Sequence, residues 1–242
     1  IGATYLTPLL NDRKWRALAA IAVLALLATH VFSRLWPPRN EETLSLNYPV
    51  EEVAFLKASG VGGATFHTFV SGGYLDLEYY PLGRILFDGR YFPFKNILRE
   101  YVRSKQTADG LRAFLNKYPF QVALYPYTNA TIASHEPGAP RRGVCAALFP
   151  SDRWTLVYMG AYGAVYVRNG QVPENWREQH GYSYLVPGDE AYINWAIQRG
   201  LVPKDRTLSE VDRALREGSA AKGGPQLESL RLGLLQIRSE VK

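Results

Sequence analysis

The chain has 242 residues, 47% of them hydrophobic and 21% charged, with a net charge of +6. That balance suits one sizeable core, or one core with a small appendage, and excludes wholesale disorder. The basic excess forms no dense block and accompanies no nucleic-acid motif, so nucleic acid is not an expected partner. Cys145 is the only cysteine, which excludes an intrachain disulfide. The four histidines, His30, His67, His135 and His180, share no ligand spacing with one another or with the cysteine. No metal site, and no cofactor, is expected.

The first strong signal is "RKWRALAAIAVLALLATHVFSRLWPPR". Residues 17–33 carry no formal charge, and a helix from Trp15 to Trp36 would be about 33 Å long, enough to cross the hydrocarbon of a bilayer. The two tryptophans would sit at opposite interfaces, and Pro37-Pro38 would end the helix. A cleaved signal peptide would need a small-residue cleavage site, which "THVFSRLWPP" lacks, and a core helix this long is rarely apolar on every face. The reading is therefore a transmembrane helix over 14–36. Arg13, Lys14 and Arg16 outnumber Arg34 and Arg39, placing residues 1–13 in the cytoplasm and the C-terminal part in the periplasm of a bacterial inner membrane. His30 would lie inside the span, either at its interface or against a partner helix, with axial ligation the sharper alternative. The chain starts with Ile, which fits a processed form or the tail of something longer.

After a linker at 37–46 the pattern alternates. "PVEEVAFLKASG" reads as a helix between Pro49 and Gly60, "GATFHTFV" as a strand, "GGYLDLEYYP" as a short helix or helical turn, and "RILF" as a strand. "FKNILREYVRS" and "TADGLRAFLNKY" are amphipathic helices, "FQVALYPY" is a strand, and "TNATIASHEPGAPRRG" is a loop. "WTLVYMGAYGAVYVRNG" reads as two strands joined by a turn near 161–163. Helices interleaved with strands predict an α/β domain over 47–172, its mixed sheet closed by an antiparallel hairpin. From 173 to 242 the pattern is helical. "PGDEAYINWAIQRG" is followed by "TLSEVDRALREG", with Thr207 and Glu210 as a capping box. "PQLESLRLGLLQIRSEV" then has Leu227, Leu230, Leu234 and Ile237 on one face. Such a helical-repeat-like extension must cover its apolar face with the α/β domain, another copy, or a partner.

Candidate chemistry is sparse. In "ILFDGRYF", Asp88 and Arg90 are either a structural pair at a turn or ligand contacts at the C-terminal end of a strand. The later helical signal favours a strand-to-helix switch at Gly89, with the pair tying the loop down. Ser71, Gly72 and Gly73 precede the short helix, where backbone N–H groups could hold an anion; the plainer reading is a tight turn. Asp76 and Glu78 are two apart and would not share a helix face. No catalytic constellation is evident.

The order of motifs carries a resemblance. "NYPVEEVAFLKASG", "SGGYLDLEYYP", "ILFDGR" and "WTLVYMGAYGAVYVR", following the apolar segment, resemble the extracytoplasmic C-terminal region of bacterial polytopic membrane proteins that look like glycosyltransferases using lipid-linked donors, a similarity that spans roughly 14–169. Those proteins carry many membrane helices and place catalytic carboxylates in loops this chain lacks, so no catalytic residue carries over. The resemblance implies a membrane-tethered, extracytoplasmic α/β domain. The expectation is a non-enzymatic accessory subunit capping a larger membrane complex (respiratory, photosynthetic or envelope-building). Its partners would be the lipid bilayer and other subunits, met through the membrane helix and the helical extension. The alternative is part of an envelope glycosyltransferase, or a glycan-binding domain serving one.

Overall fold

The computed structural model describes residues 13–35, 47–90, 92–217, 232–233 and 235–239, with side chains of the first segment described over 17–30. The chain divides into two compact units, Ile1–Thr43 and Leu44–Lys242.

In the first unit a helix does form, α1 (Arg13–Leu35). It does not support the membrane span expected over 14–36: among the described residues, no helix is long and apolar enough to cross a membrane. The physical reason lies in its composition: the helix carries Arg13, Lys14, Arg16 and Arg34, and six of the residues over 17–30 are alanines, which present little apolar area each. The interface roles expected of Arg13, Lys14, Trp15 and Arg16 rest on side chains outside the description, and Trp36 lies outside the described residues. His30 is exposed on the helix.

The second unit is a mixed α/β structure. Its helix α2 (Val50–Ala58) turns Val53 and Leu56 inward. Gly60, at φ +64°, ends it, with Val61 N–H donating to the Leu56 carbonyl at 3.1 Å, a left-handed position that only glycine adopts cheaply. The chain continues through β1 (Gly63–Phe66), α3 (Gly72–Glu78), β2 (Gly83–Ile85), α4 (Lys95–Ser104), α5 (Ala108–Lys117) and β3 (Val122–Pro126). A small pair, β4 (Thr131–Ile132) with β5 (Arg142–Gly143), occupies the stretch read as loop, and a short α6 (Val144–Leu148) follows it. The hairpin β6 (Trp154–Met159) and β7 (Gly163–Arg168) comes next, then α7 (Glu174–His180), α8 (Glu190–Gln198) and α9 (Lys204–Glu217).

The sheet order is β2-β1-β3-β7-β6. The first three strands run parallel, and β7 adds antiparallel to β3, pairing Val122 with Val167 and Pro126 with Gly163. The hairpin therefore joins the sheet by its second strand. Strand alternation sorts the core into two layers. Val122, Leu124, Val165 and Val167 pack with Val53, Leu56, Leu75 and Tyr79 of the α2–α3 side. Ala123, Ala164 and Tyr166 face the larger layer, with Phe66, Phe114, Leu148, Ile193, Val211 and Ile237.

The C-terminal helices are thus covered by the α/β domain, the first of the three covers anticipated. Val211, Ala214 and Ile237 are at most 1% exposed. Leu227, Leu230 and Leu234, expected on the face of a last helix, lie outside the described residues. The capping box is corrected. Helix α9 starts one turn earlier, after Pro203, so Thr207 is already helical and its hydroxyl donates to the Pro203 carbonyl at 2.9 Å. Glu210 instead accepts from the Ser183, Tyr184 and Leu185 N–H groups at 2.7, 2.9 and 3.2 Å. Three loop donors converging on one acceptor, two of them part-buried, outweigh a cap that proline had made redundant.

Candidate functional site: the C-terminal edge of the parallel strands

Parallel strands end at one edge of a sheet, and loops leaving that edge are where α/β folds gather functional groups. Here β1 delivers His67 to Ser71, β2 delivers Phe87 to Arg90, and the β6–β7 turn at 160–162 abuts the end of β3. Helix α2 contributes Glu52 from its first turn.

The two sequence motifs meet there. A Cβ on Gly72 would come within 2.3 Å of the Phe87 carbonyl oxygen and 3.0 Å of Asp88 Cα. Gly72 is needed because another backbone passes through the space of a side chain. Ser71 is buried and its hydroxyl donates to the Thr68 carbonyl at 3.0 Å, while Gly73 is exposed. The Ser71 N–H donates to the Thr68 carbonyl at 3.3 Å and the Gly72 N–H to the Phe69 carbonyl, and α3 is seven residues long.

Asp88 is 3% exposed. One carboxylate oxygen accepts from the Arg90 N–H at 2.9 Å and the other from Arg90 Nε at 2.6 Å. That guanidinium holds the Asp88 carboxyl below the usual range, with the backbone donor adding to it. Arg90 continues outward to Asp76 Oδ2 at 3.1 Å, with side-chain exposures of 64% and 42% for the two residues. One arginine therefore links a buried acid to an exposed one.

Two further groups at this edge gave no motif. His67 is fully buried; its Nδ1–H donates to the Thr68 carbonyl at 2.8 Å and its Nε2 accepts the Leu86 N–H at 3.1 Å. Both nitrogens are used, which fixes the neutral tautomer, and burial pushes the pKa down to about 4. Glu52 is also fully buried; its Oε1 accepts the Tyr162 and Gly163 N–H groups at 3.0 Å each, stitching α2 to the β6–β7 turn. Its Oε2 has no hydrogen-bond partner, and burial raises its pKa to about 7 despite those backbone donors. The available signal was its position: residues 52, 53 and 56 share one helix face, so an acid there shares the buried stripe of Val53 and Leu56.

Apolar groups frame the edge. Phe69, Val70 and Phe92 are 39%, 67% and 84% exposed, and Leu77 continues outward along α3 at 78%. Among the described residues, no group of His, Cys, Asp and Glu could hold a metal ion. In comparison with known proteins, no family model, no curated protein and no solved structure matches this chain.

Proposed function

We propose that this chain is a non-enzymatic interaction subunit, and that it meets its assembly through the C-terminal edge of the parallel strands. The observation that carries this reading is the exposed set Phe69, Val70 and Phe92 around the Arg90–Asp76 ion pair. Apolar surface rimmed by charge is the composition of a protein contact, with arginine among the residues enriched there. The same edge argues against catalysis. The groups able to move protons, His67 and Asp88, have their polar atoms engaged in structural bonds, and Glu52 has no exposed surface. The resemblance of 14–169 supplies the setting, an envelope complex of a bacterium, with the α/β unit on its extracytoplasmic side.

The test is the native size of the assembly. Cells carrying the tagged chain are crosslinked, and the complex is compared with that of a Val70→Asp, Phe92→Asp double variant. The expected result is loss of the large species with an unchanged melting temperature of the purified chain. An unchanged complex would overturn the reading. A second reading, glycan binding, is favoured by one feature: an exposed aromatic, Phe92, two residues from the exposed Arg90 of the ion pair, a combination that stacks on and hydrogen-bonds to a sugar. Titration of the purified chain with neutral oligosaccharides decides it, because binding would then be lost on Arg90→Ala.

A further inference from the structure

The α4–α5 hairpin carries an imbalance of charge. Residues 92–118 hold six bases and two acids. Both acids are already paired. Glu100 accepts from Lys117 Nζ at 2.7 Å and from the Tyr118 hydroxyl at 2.8 Å, and Asp109 accepts from Arg112 at 2.7 Å. Lys105 ends the stretch with its Nζ 5.8 Å from the Tyr101 ring. Among the described residues, Lys95, Arg99 and Arg103 have no ion-pair partner, and all three are exposed. We propose that this outer face of α4, with Phe92 at its head, docks on an anionic lipid surface. The inference goes beyond the protein contact proposed for the neighbouring edge and shares only Phe92 with it.

Three features point this way. First, the bases form a stripe. Positions 95, 99, 102 and 103 recur at the helical period and share one face of α4. The other side of the helix is spent on the core: Leu98 and Tyr101 are buried, and Phe94 and Ile97 pack against the same cluster. What α4 turns outward is therefore cationic and already free of internal duties.

Second, apolar groups project beside the cations. Phe92 is 84% exposed and Val102 43%. Phe92 opens the short 3-10 turn Phe92–Phe94, one turn before Lys95. A bilayer surface accommodates both kinds of group at once, the ring entering the boundary of the acyl chains while the bases meet phosphates. The three free bases span about 12 Å of helix and are held by no hydrogen bond in a fixed fork. A fluid array of phosphates needs no such geometry, whereas a carboxylate on a folded partner selects for it.

Third, the mount is rigid. The Tyr101 ring meets Phe66 edge-on at 6.1 Å and Phe87 at 5.0 Å, so the face needs no ordering when it binds.

The experiment uses the full chain with Val102→Cys carrying a solvatochromic dye. Cys145 is buried, so the label goes to position 102, and it reports this face whatever the N-terminal helix does. The probes are vesicles of phosphatidylglycerol, vesicles of phosphatidylcholine, and soluble poly-glutamate. Phosphatidylglycerol should shift the dye to the blue saturably, and the shift should vanish at about 0.5 M salt. Neither of the other probes should shift it. Lys95→Gln, Arg99→Gln and Arg103→Gln together should weaken vesicle binding about a hundredfold, a base near a charged surface being worth roughly a factor of five. All three positions are exposed, so an unchanged melting temperature is expected and shows that the fold is intact. Phe92→Ser should weaken binding about tenfold. No other protein is present, so the outcome is independent of the assembly test above. Absence of a shift with phosphatidylglycerol, an equal shift with phosphatidylcholine, or binding unaffected by the triple substitution would overturn the proposal. An equal shift with poly-glutamate would overturn it in favour of an acidic protein.

Discussion

Glu52 and His67 are two buried titratable residues whose effects on stability run in opposite directions. The His67 pKa is lowered from 6.5 to about 4, so its contribution is complete above pH 6.5 and is lost as pH falls toward 4. The Glu52 pKa is raised from 4.5 to about 7, so folding favours its protonated form. Its contribution is complete below pH 4.5 and is lost as pH rises through 7. Glu52→Gln keeps an acceptor for Tyr162 and Gly163 and removes the titration. The variant should match the parent near pH 4 and exceed it by about 3 kcal/mol at pH 8, the order expected of a shift that size. Urea unfolding across that range checks it, and parallel pH profiles would refute it. Gly72→Ala belongs to the same scale. Its Cβ would strike the Phe87 carbonyl, so a loss of ~2–4 kcal/mol is expected from chemical denaturation. Asp88–Arg90 and Ser71–Gly72 were legible in the sequence as separate motifs. Their contact was not, because it is closed by a crossover through α3, and residue spacing carries no record of which loops a sheet brings together.

Among elements, α9 illustrates where local rules yield. Thr207 and Glu210 satisfy the spacing of a capping box, yet Glu210 serves a loop 25 to 27 residues earlier in the chain. A cap is a local option and is outbid wherever tertiary donors would otherwise be buried unpaired. Glu210→Ala should therefore do more than shorten a helix. It should cost ~2–3 kcal/mol and speed hydrogen exchange at the Ser183, Tyr184 and Leu185 amides while leaving β3 and β7 protected. Uniform protection in the variant would show that the loop is held by other means. The strands themselves were legible, since β1, β3, β6 and β7 fall in short runs of apolar, β-branched and aromatic residues. The short β4, β5 and α6 were not, because two-residue strands and a one-turn helix are too brief to leave a period.

At the scale of the molecule, the α/β architecture could be read from the alternation of patterns, and so could the antiparallel hairpin at its end. What could not be read was that the hairpin docks by β7 rather than β6, a choice made by packing Val165 and Val167 against the α2–α3 layer. The N-terminal expectation failed for a different reason: an uncharged run reports the absence of charge, and not how little apolar surface its alanines offer a bilayer. The division at Thr43 predicts that residues 44–242 unfold in one cooperative transition when expressed alone, as read by calorimetry. Deleting residues 204–242, and α9 with them, should instead abolish that transition, since Val211 and Ala214 are part of its core.

The flanks of the sheet have a consequence for the life of the protein in a crowded compartment. A sheet with open backbone along its sides invites a second chain to add a strand, and such additions repeat without limit. Here β2 offers a three-residue flank. On the other side β6 carries an irregularity between Leu156 and Tyr158, and Tyr182 bridges to Leu156 across its outer side. Both rims are too short or too occupied to template fibre growth. A molecule of this build can stay at high local concentration without polymerising through its own backbone.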